Sequence, residues 1–555
     1  MNQIPSTQRA IQLIGPDELT MNAAKPVPEP GPHQLLCKVE VCGLCFSDLK
    51  LLKQFSGHVR KSEVLSGVGP DVLQNVPSYV PGSQPTVPGH EPVVQVVKVG
   101  GQVSRFKVGE RFLVQADWRW LKTANSNGAF GYNFEGALQE YVLLDERIVV
   151  SPDGESMLLP ASRAKSASAI ALVEPWACVE DSYQVRERQT VKASGWMLVV
   201  AEADFPVDHL SNLLSRHGLP GRITWVSSKP APKLLHVTVD TAAAFGSLPD
   251  GKFDDVVYFG SNPETIEKLF AKVATNGLFL VALCGGTLGR PVMTALGRVH
   301  YGGIRLAGTA GSDPAEALLT IPASGEIREG NRIHVVGAGG PMGVMHVMRN
   351  LCQGVKKVTV IAADLSDERI AALDRIAHPA ARKNGVEYCS YNPKKAPFSG
   401  AFDYIAVMAP VPALIAQAVK EANPGAIINI FAGIPANVSG AVDLDAYLRK
   451  GLYFIGTSGS TLQDMKIVQN NVESGRLDTN VSVAAISGLD GAVDGIRLVE
   501  KQEVPGKIMV YPACRGLKVT PLTKLFESLP EVAAKLQDGV WTKEAEAALL
   551  QKYGG

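Results

Sequence analysis

The stretch from Asn331 to Asp364 constrains the fold of this chain more than any other. An apolar segment, IHVV, leads through a glycine-rich turn and a helical segment to a second apolar segment, VTVIAA, that ends in an acid. This order predicts a strand, a tight turn, a helix and a parallel strand. Turn glycines let a pyrophosphate approach the backbone, the helix N-terminus attracts its charge, and Asp364 can accept hydrogen bonds from a ribose. The stretch therefore predicts a dinucleotide-binding βαβ unit.

The glycine pattern of the turn is irregular. Ala338 stands where a regular fingerprint has glycine, and Gly337 comes one position early. Asp364 lies about twenty residues after Gly343, the usual spacing for the ribose acceptor. An incidental glycine turn after a buried strand is the alternative interpretation. The candidate cofactor-binding residues of this segment are Gly337, Gly339, Gly340, Pro341, Met342, Gly343 and Asp364.

At 555 residues the chain is too long for one hydrophobic core, so three or four domains are expected. Its 54 basic and 54 acidic residues balance, which predicts neither nucleic acid nor a membrane surface as a partner. No apolar run is long enough to span a bilayer, and MNQIPSTQRAIQL has no charged start before a long apolar run, so neither a membrane span nor an export signal is expected. Eight cysteines without disulfide-like spacing favour a reducing cytoplasm.

Residues 1 to about 165 predict a small twisted β-barrel, because short β-branched runs alternate with Gly and Pro. The runs are HQLLCKVEV, EPVVQVVKVG, RFLVQAD, QEYVLL and RIVVSP. Metal-ligating residue types stand nearby: Cys45 in GLCFSD, His90 and Glu91 in PGHEP, and Glu174 in VEPWACV. A thiolate, an imidazole and a carboxylate suit a catalytic zinc with one open position. Each alone has an ordinary alternative: a buried cysteine, a core histidine or a helix-capping acid.

The chain also contains an internal repeat. Residues 253–286 match residues 402–433 in pattern and in several identities, and LAGTAGSD matches FIGTSGST downstream. The 31 positions between Gly277 and Gly308 recur between the corresponding glycines of the second copy. Equal spacing of matched landmarks indicates a duplicated domain.

The earlier copy lacks the features that bind a dinucleotide. Ala203, Asp204 and Val207 stand at the positions of the three glycines, and Lys229 falls opposite the ribose-binding acid. Side chains there would block the backbone approach, and Asp204 would repel a pyrophosphate. The copy also lacks roughly a dozen residues of its third-strand region. We expect residues 190–315 to be a degenerate dinucleotide-binding fold; an unrelated α/β insertion is the alternative.

We expect the degenerate copy to pack against the other as a second subunit would, giving a monomeric pseudo-dimer. A homodimer is the alternative. In a further alternative, the lost site binds a regulator or shapes the cleft.

The strings GLCFSD, VPGHEPVVQVVKVGGQVSRFKVGERF, GALQEYV and EPWACV resemble the zinc-dependent medium-chain dehydrogenases/reductases. The EP dipeptide in place of a cysteine ligand resembles the sorbitol and threonine dehydrogenase branch. GGPMG, VMAPVPALI, INIFAG and FIGTSGSTLQDM are similar to L-sorbose-1-phosphate reductases. The resemblance covers residues 8–185 and 328–512.

This resemblance implies that Cys45 and His90 hold a catalytic zinc. Glu91 and Glu174 share the remaining acidic role, one bound and one close by. The four-cysteine cluster that holds a structural zinc in many relatives is absent, so one zinc is expected and no structural zinc.

The catalytic residues implied by the resemblance are Ser47, Asp48 and Glu174. Ser47 would pass a proton from the substrate, and Asp48 would orient the histidine ligand, a role that metal-site physics also suggests. Lys50 replaces a histidine of the proton relay found in many relatives, so the resemblance does not assign the path by which the proton leaves.

The predicted fold is an α/β multidomain architecture with a GroES-like β-barrel catalytic domain and two Rossmann-like doubly wound parallel-sheet domains, one of them degenerate. The predicted boundaries are 1–185 for the barrel domain, completed by 476–512; 190–315 for the degenerate domain; 328–475 for the NAD(P)-binding domain; and 513–555 for a C-terminal helical extension.

The resemblance implies a zinc-dependent oxidoreductase that transfers a hydride between NAD(P)(H) and a small molecule: a polyol, a secondary alcohol, or a sugar phosphate or ketose. Asp364 favours NAD over NADP, because a 2′-phosphate would face its carboxylate. A threonine or alcohol dehydrogenase of the same fold, a non-catalytic NAD-binding redox sensor and a protein with a purely structural metal are the alternatives. The residues implied to line the nicotinamide half are Ala409, Pro410, Val411, Phe431, Ala432 and Gly433.

A long insert, residues 54–85, separates the cysteine and histidine motifs and is expected to border the cleft. His58, Arg60 and Lys61 could bind a phosphate there. A solvated loop is the alternative.

Overall fold

The computed structural model describes residues 4–234, 236–396, 398, 400–457 and 459–553. The chain divides into two compact units. The first comprises residues 1–177 and 460–555, and the second comprises residues 178–459. Among the described helices, none combines the length and apolar character needed to cross a lipid bilayer.

The first part of the chain is mostly strands. In chain order its elements are β1 (Thr7–Gly15), β2 (Glu18–Pro26), β3 (Gln34–Gly43), α1 (Phe46–Gln54), α2 (Pro70–Gln74), β4 (Glu91–Val99), β5 (Arg111–Val114), β6 (Asp117–Lys122), β7 (Asn127–Ala129), β8 (Tyr141–Asp145), α3 (Glu146–Val149), β9 (Leu158–Pro160), α4 (Ala167–Ala171) and α5 (Val173–Gln184).

The earlier repeat of the second unit follows. Its elements are β10 (Trp196–Ala201), α6 (Val207–His217), β11 (Arg222–Ser227), β12 (Thr238–Thr241), β13 (Phe253–Phe259), α7 (Pro263–Leu269), β14 (Val273–Ala282), β15 (Val292–Thr294), α8 (Leu296–Tyr301), β16 (Arg305–Thr309) and α9 (Pro314–Leu319).

Up to its last strand, the later repeat has the same order of elements as the earlier one, with one additional helix, α11. They are β17 (Arg332–Val336), α10 (Pro341–Cys352), β18 (Thr359–Ala363), α11 (Asp367–Asn384), β19 (Glu387–Tyr391), β20 (Phe402–Val407), α12 (Pro412–Glu421), β21 (Ala422–Ile430), β22 (Gly440–Val442), α13 (Leu444–Arg449) and β23 (Tyr453–Ile455).

The chain then returns to the first unit. The closing elements are α14 (Leu462–Glu473), β24 (Val483–Ser487), α15 (Ala492–Glu500), β25 (Lys507–Val510), β26 (Thr520–Pro521), α16 (Leu525–Ser528), α17 (Pro530–Ala533) and α18 (Lys543–Tyr553).

The main sheet of the first unit joins both ends of the chain in the order β26-β24-β25-β3-β4-β5-β9, with β8 also paired to β3. This mostly antiparallel sheet agrees with the predicted β-rich first domain. One predicted strand is wrong: the first three residues of RIVVSP, Arg147 to Val149, lie in helix α3. Asp145 begins that helix, because its carboxylate accepts a hydrogen bond from the backbone N–H of Arg147 at 3.0 Å.

The C-terminal extension is anchored in this unit by one buried acid. Glu546 on α18 accepts hydrogen bonds from the N–H groups of Ala167 and Ser168 at 2.6 and 3.0 Å and from the Tyr511 hydroxyl at 2.9 Å. The two N–H groups belong to the first turn of α4, which has no partner for them within the helix. The extension therefore caps the helix that immediately precedes α5.

The second unit contains two six-stranded parallel sheets with the same topology. Their strand orders are β12-β11-β10-β13-β14-β16 and β19-β18-β17-β20-β21-β23. This doubly wound order confirms the predicted duplication of a Rossmann-like fold. Between β11 and β12 the described residues form no helix, whereas α11 joins the equivalent strands of the later copy. The shorter copy has therefore lost a helix and kept its third strand.

The two copies meet across an internal twofold relation. Strands β15 and β22 pair antiparallel, with Val292 opposite Val442 and Met293 opposite Ala441. Met293 and Ala441 are as far apart in the sequence as Gly277 and its repeat equivalent, Gly425. Met293 therefore pairs with the residue that occupies its own position in the other copy. A twofold dimer has this property, because the same patch faces itself.

Two glycines at equivalent positions of the repeat let the two copies pack closely against each other. A Cβ on Gly308 would lie 2.5 Å from Leu448, and one on Gly456 would lie 3.0 Å from the backbone of His300. Leu448 and His300 are themselves repeat equivalents. Buried apolar residues of both copies form one continuous core.

We predict that the purified chain sediments as a single 59.1 kDa species, because the surface that would pair two chains is used internally. Sedimentation velocity across a hundredfold range of protein concentration measures this. A concentration-dependent shift to twice that mass would contradict the prediction.

Candidate active site

Three of the predicted ligands converge in the first unit. The donor atoms of Cys45, His90 and Glu91 all lie within 4.8 Å of one another. Cys45 begins helix α1, and Glu91 begins strand β4 directly after His90. Strands β3 and β4 pair antiparallel, which brings these distant parts of the sequence together.

Two neighbouring side chains of α1 organise this group. His90 Nδ1 lies 3.0 Å from Asp48 Oδ1, which leaves Nε2 directed toward the other donor atoms. Ser47 Oγ donates to Cys45 Sγ at 3.0 Å and lies 3.2 Å from His90 Nε2. A hydroxyl thus stands beside two of the three donor atoms.

Glu91 is held by a lysine from the end of the chain. Lys507 Nζ donates to Glu91 Oε1 at 2.5 Å, and both side chains are buried. Burial alone lowers the pKa of Lys507, but Cys45 and Glu91 raise it above its ordinary value, so the ammonium stays charged. Gly43 leaves room for the carboxylate, since a Cβ there would lie 2.3 Å from Glu91 Oε2.

Glu174 lies in the first turn of α5 and is absent from the group of three donors. Burial raises its pKa to about 7; His90 and Lys507 lower it, and Glu91 raises it. The charges of the donor group therefore act on Glu174 at short range. Glu174 thus lies near the donor atoms of Cys45, His90 and Glu91 but outside that group of three.

The donor group fits a zinc ion. Thiolate, imidazole and carboxylate are the ligand types that zinc takes in proteins. Glu91 Oε2 is buried and has no hydrogen-bond partner, which is costly for a carboxylate oxygen unless a cation engages it. Lys507 reaches the other oxygen of this carboxylate, so a divalent cation would engage the oxygen that remains.

The predicted glycine turn lies in the second unit, between β17 and α10. Gly337 has a φ of +83°, a conformation that favours glycine, and Gly340 is the N-cap of α10 with Pro341 next. A Cβ on Gly343 would lie 2.3 Å from the Gly337 carbonyl oxygen, so this helix packs directly on the turn. Met342 follows in the first turn of the helix. The helix begins without an acidic residue, which suits an anion.

Asp364 lies immediately after β18, beside this turn. It accepts hydrogen bonds from the N–H groups of Gly339 at 2.9 Å and Ser366 at 3.0 Å. Sequence reasoning missed Arg369 in the first turn of α11, where a Cβ on Gly339 would lie 2.5 Å from the arginine Cβ. The sequence signal that could have indicated this residue is the start of a helix three residues after Asp364.

The remaining predicted cofactor residues lie at the carboxyl ends of two strands. Ala409, Pro410 and Val411 follow β20, and Phe431, Ala432 and Gly433 follow β21. Because β17, β20 and β21 are parallel neighbours, all these segments share one edge of the sheet with the glycine turn. The Phe431 ring packs edge-on against the His346 ring of α10, with 4.6 Å between the ring centroids.

The corresponding turn of the earlier copy is filled by its own side chains. Phe205 is buried and stacks on Phe259 with ring centroids 3.8 Å apart. Lys229 pairs with Asp204 at 2.9 Å. The strand register places Ser227, and not Lys229, at the position of the ribose-binding acid, which corrects the sequence alignment. The acid is nevertheless missing from this copy.

A tyrosine outside the insert, which sequence reasoning did not single out, lies beside the metal-ligand group. Tyr132 is buried, and its ring centroid lies 5.6 Å from that of His90 and 5.2 Å from that of His58. Lys61, a predicted phosphate ligand, is buried and donates to the carbonyl oxygens of Val80 and Gln84. It serves the fold of the insert.

Comparison with known proteins agrees with this architecture. Residues 31–153 match the family described as the alcohol dehydrogenase GroES-like domain. An alcohol dehydrogenase of Rhizobium meliloti is 32% identical over 139 residues, 22% of this chain and 33% of that protein. An L-sorbose 1-phosphate reductase of Klebsiella pneumoniae is 26% identical over 235 residues, 40% of this chain and 56% of that protein. The chain thus spans a third to somewhat over half of these relatives.

The fold similarity extends further than the sequence similarity. The crystal structure of 2R,3R-butanediol dehydrogenase from Bacillus subtilis is similar to this chain with a TM-score of 0.51 at 16% sequence identity. The alignment covers 91% of this chain and 100% of the dehydrogenase chain. This likeness shows that the two chains share a fold, and the matched domain covers residues 31–153 of this one.

Proposed function

We propose that the chain is a zinc-dependent oxidoreductase that moves a hydride between NAD and a polyol, a secondary alcohol or a sugar phosphate. The observation that carries the proposal is the convergence of Cys45, His90 and Glu91, with the Ser47 hydroxyl beside two of their donor atoms. The similarity to a relative named L-sorbose 1-phosphate reductase supports the sugar-phosphate end of this range.

Bound zinc would supply Lewis-acid polarisation of the substrate oxygen, and the nicotinamide would exchange the hydride. Cys45, His90 and Glu91 are the residues that would hold the ion, with Glu174 as the neighbouring acid. Asp48 would keep the His90 ring in position and fix which nitrogen faces the metal.

Ser47 is proposed to handle the proton. During oxidation the substrate hydroxyl gives its proton to Ser47 Oγ while the hydride leaves the adjacent carbon, and Ser47 passes its own proton onward to solvent. During reduction both transfers run in reverse. The serine stands where this exchange is needed, because its hydroxyl already donates to the ligand sulfur.

The glycine turn, Asp364 and the strand-end segments would hold NAD in the later copy only. Phe205 occupies the equivalent turn of the earlier copy, so we infer a single dinucleotide site per chain. All eight cysteines are free thiols, which supports placement in the reducing cytoplasm. NADH formation with a panel of polyols tests the activity. NAD binding without turnover of any substrate would favour the redox-sensor alternative.

We predict one zinc per chain and its loss in Cys45→Ala, because that variant removes one of three protein ligands. Zinc affinity should fall at least about a hundredfold. Elemental analysis of dialysed protein measures the stoichiometry. Cys37→Ala is the matched control and should retain the metal, since Cys37 is a buried thiol of strand β3 outside the donor group. Equal zinc in both variants would exclude the proposed site.

Ser47→Ala should lower kcat by about 10²–10⁴, the usual contribution of positioned proton transfer, while zinc stays bound. The zinc content and the circular dichroism spectrum of the variant are compared with those of the parent protein. Ser47→Thr, which keeps a hydroxyl, should retain more activity than the alanine variant. Undiminished turnover in Ser47→Ala would rule out the proton-transfer role.

Asp364→Asn should raise the KM for NAD by about tenfold, because a charged hydrogen bond to the ribose is replaced by a neutral one. The same change should improve kcat/KM with NADP, since the carboxylate no longer faces the 2′-phosphate. Steady-state kinetics with both cofactors measure the ratio. An unchanged ratio would show that this carboxylate does not face the ribose.

A further inference from the structure

The C-terminal helix α18 places a buried carboxylate between two segments that carry residues of the candidate metal site. Glu546 is only 6% exposed. Its Oε1 accepts a hydrogen bond from the Ala167 N–H, and its Oε2 accepts from the Ser168 N–H and the Tyr511 hydroxyl. One side chain therefore joins the start of α4 to the residue that directly follows β25.

The first of these segments leads to Glu174. Helix α4 is followed after one residue by α5, and Glu174 lies in the first turn of α5, six residues after Ser168. The Trp176 indole N–H of the same helix donates to Ser482 Oγ at 3.1 Å, so a second hydrogen bond from outside α5 holds this part of it. Because the connection is short and helical, a displacement of the first turn of α4 would also move Glu174.

The second segment carries the lysine that faces the donor group. Strand β25 begins at Lys507 and ends one residue before Tyr511, and Lys507 Nζ donates to Glu91 Oε1 at 2.5 Å. The Leu44 N–H, one residue before the metal-ligating cysteine, donates to the Ile508 carbonyl oxygen at 3.0 Å. Strand β25 therefore supports two of the three proposed zinc ligands.

The groups that bind the Glu546 carboxylate depend on it. The Tyr511 hydroxyl gives its proton to Glu546 and accepts a hydrogen bond from Trp541 Nε1 at 3.0 Å. Without the carboxylate, this hydroxyl and two N–H groups of the first turn of α4 would lose their acceptor in the protein interior. Unpaired buried donors are costly, so both segments would have to shift to find other partners.

We propose that Glu546 is a positioning residue of the zinc site, which sets Glu174 against the pair formed by Glu91 and Lys507. The last helix of the chain thus takes part in building the metal centre, although it supplies none of the proposed ligands. This inference rests on the zinc site of the proposed function. Its test needs the metal alone and no turnover.

The test measures the zinc affinity of the full chain by competition with a chromophoric chelator. Glu546→Ala should weaken zinc binding about tenfold, the lower end of the range for the loss of a partner outside the ligand set. Glu546→Gln should lose less, because it keeps the volume and one acceptor oxygen. The absorption spectrum of the cobalt-substituted chain should also change in Glu546→Ala, since its ligand-field bands report the geometry of the donor atoms.

Leu549→Ala is the matched control. Leu549 is fully buried on the same helix, three residues after Glu546, and its truncation removes apolar packing without removing an acceptor. Both alanine variants should lower the melting temperature of the chain. Only Glu546→Ala should change the zinc affinity and the cobalt spectrum, because Leu549 makes none of the hydrogen bonds that reach α4 and Tyr511.

Three results would overturn the inference. Equal losses of zinc affinity in the two alanine variants would assign the effect to general destabilisation. A folded Glu546→Ala protein with the zinc affinity and cobalt spectrum of the parent would exclude the positioning role and leave the proposed oxidoreductase function intact. A parent chain that binds no zinc would overturn the proposed function and this inference together. If Glu546→Ala does not fold, the comparison of Glu546→Gln with Leu549→Ala decides in the same way.

Discussion

The antiparallel contact between β15 and β22 organises the whole second unit. Each strand is only three residues long, and each pairs with its own repeat counterpart. Around this contact the edge strands β16 and β23 and the buried residues of both copies merge into one core. The Tyr447 hydroxyl donates to the carbonyl oxygen of Leu306 at 2.8 Å across the same boundary. Separation of the two sheets would expose apolar residues of both copies. This shared core explains why the earlier copy keeps its fold although its turn is filled by side chains.

Buried charge governs the other unit in a similar way. Glu91 and Lys507 are both almost inaccessible to solvent, and such a pair is tolerated only when each member keeps its partner. Removal of Lys507 would leave the buried Glu91 carboxylate without its charged partner. The lysine comes from β25, so the part of the chain that returns to this unit completes the electrostatics of a group that begins near residue 45. Completion of the barrel sheet and assembly of the donor group are thus coupled.

Local features were predictable from the sequence, and long-range convergence was only partly so. The glycine turn around Gly337 is a short-range pattern, so its strand, helix and acid were found directly. The donor types at Cys45 and His90 were visible, but their convergence followed from a family resemblance. Lys507 and Tyr132 were missed, because nothing in their local sequence marks a partner so far along the chain. RIVVSP was mistaken for a strand, because the capping hydrogen bond of Asp145 outweighs its β-branched residues.

The two copies also show which constraints are independent. The glycines that admit close packing between copies, Gly308 and Gly456, are present in both. The glycines that would admit a pyrophosphate are present in only one, and the other has Phe205 stacked within its own turn. Packing and cofactor binding therefore rest on different residues of the same fold, and one can be lost without the other. A dimer of identical chains could not separate them, because every substitution would change both subunits at once. Duplication within one chain lets one copy specialise as a packing surface while the other keeps a dinucleotide cleft.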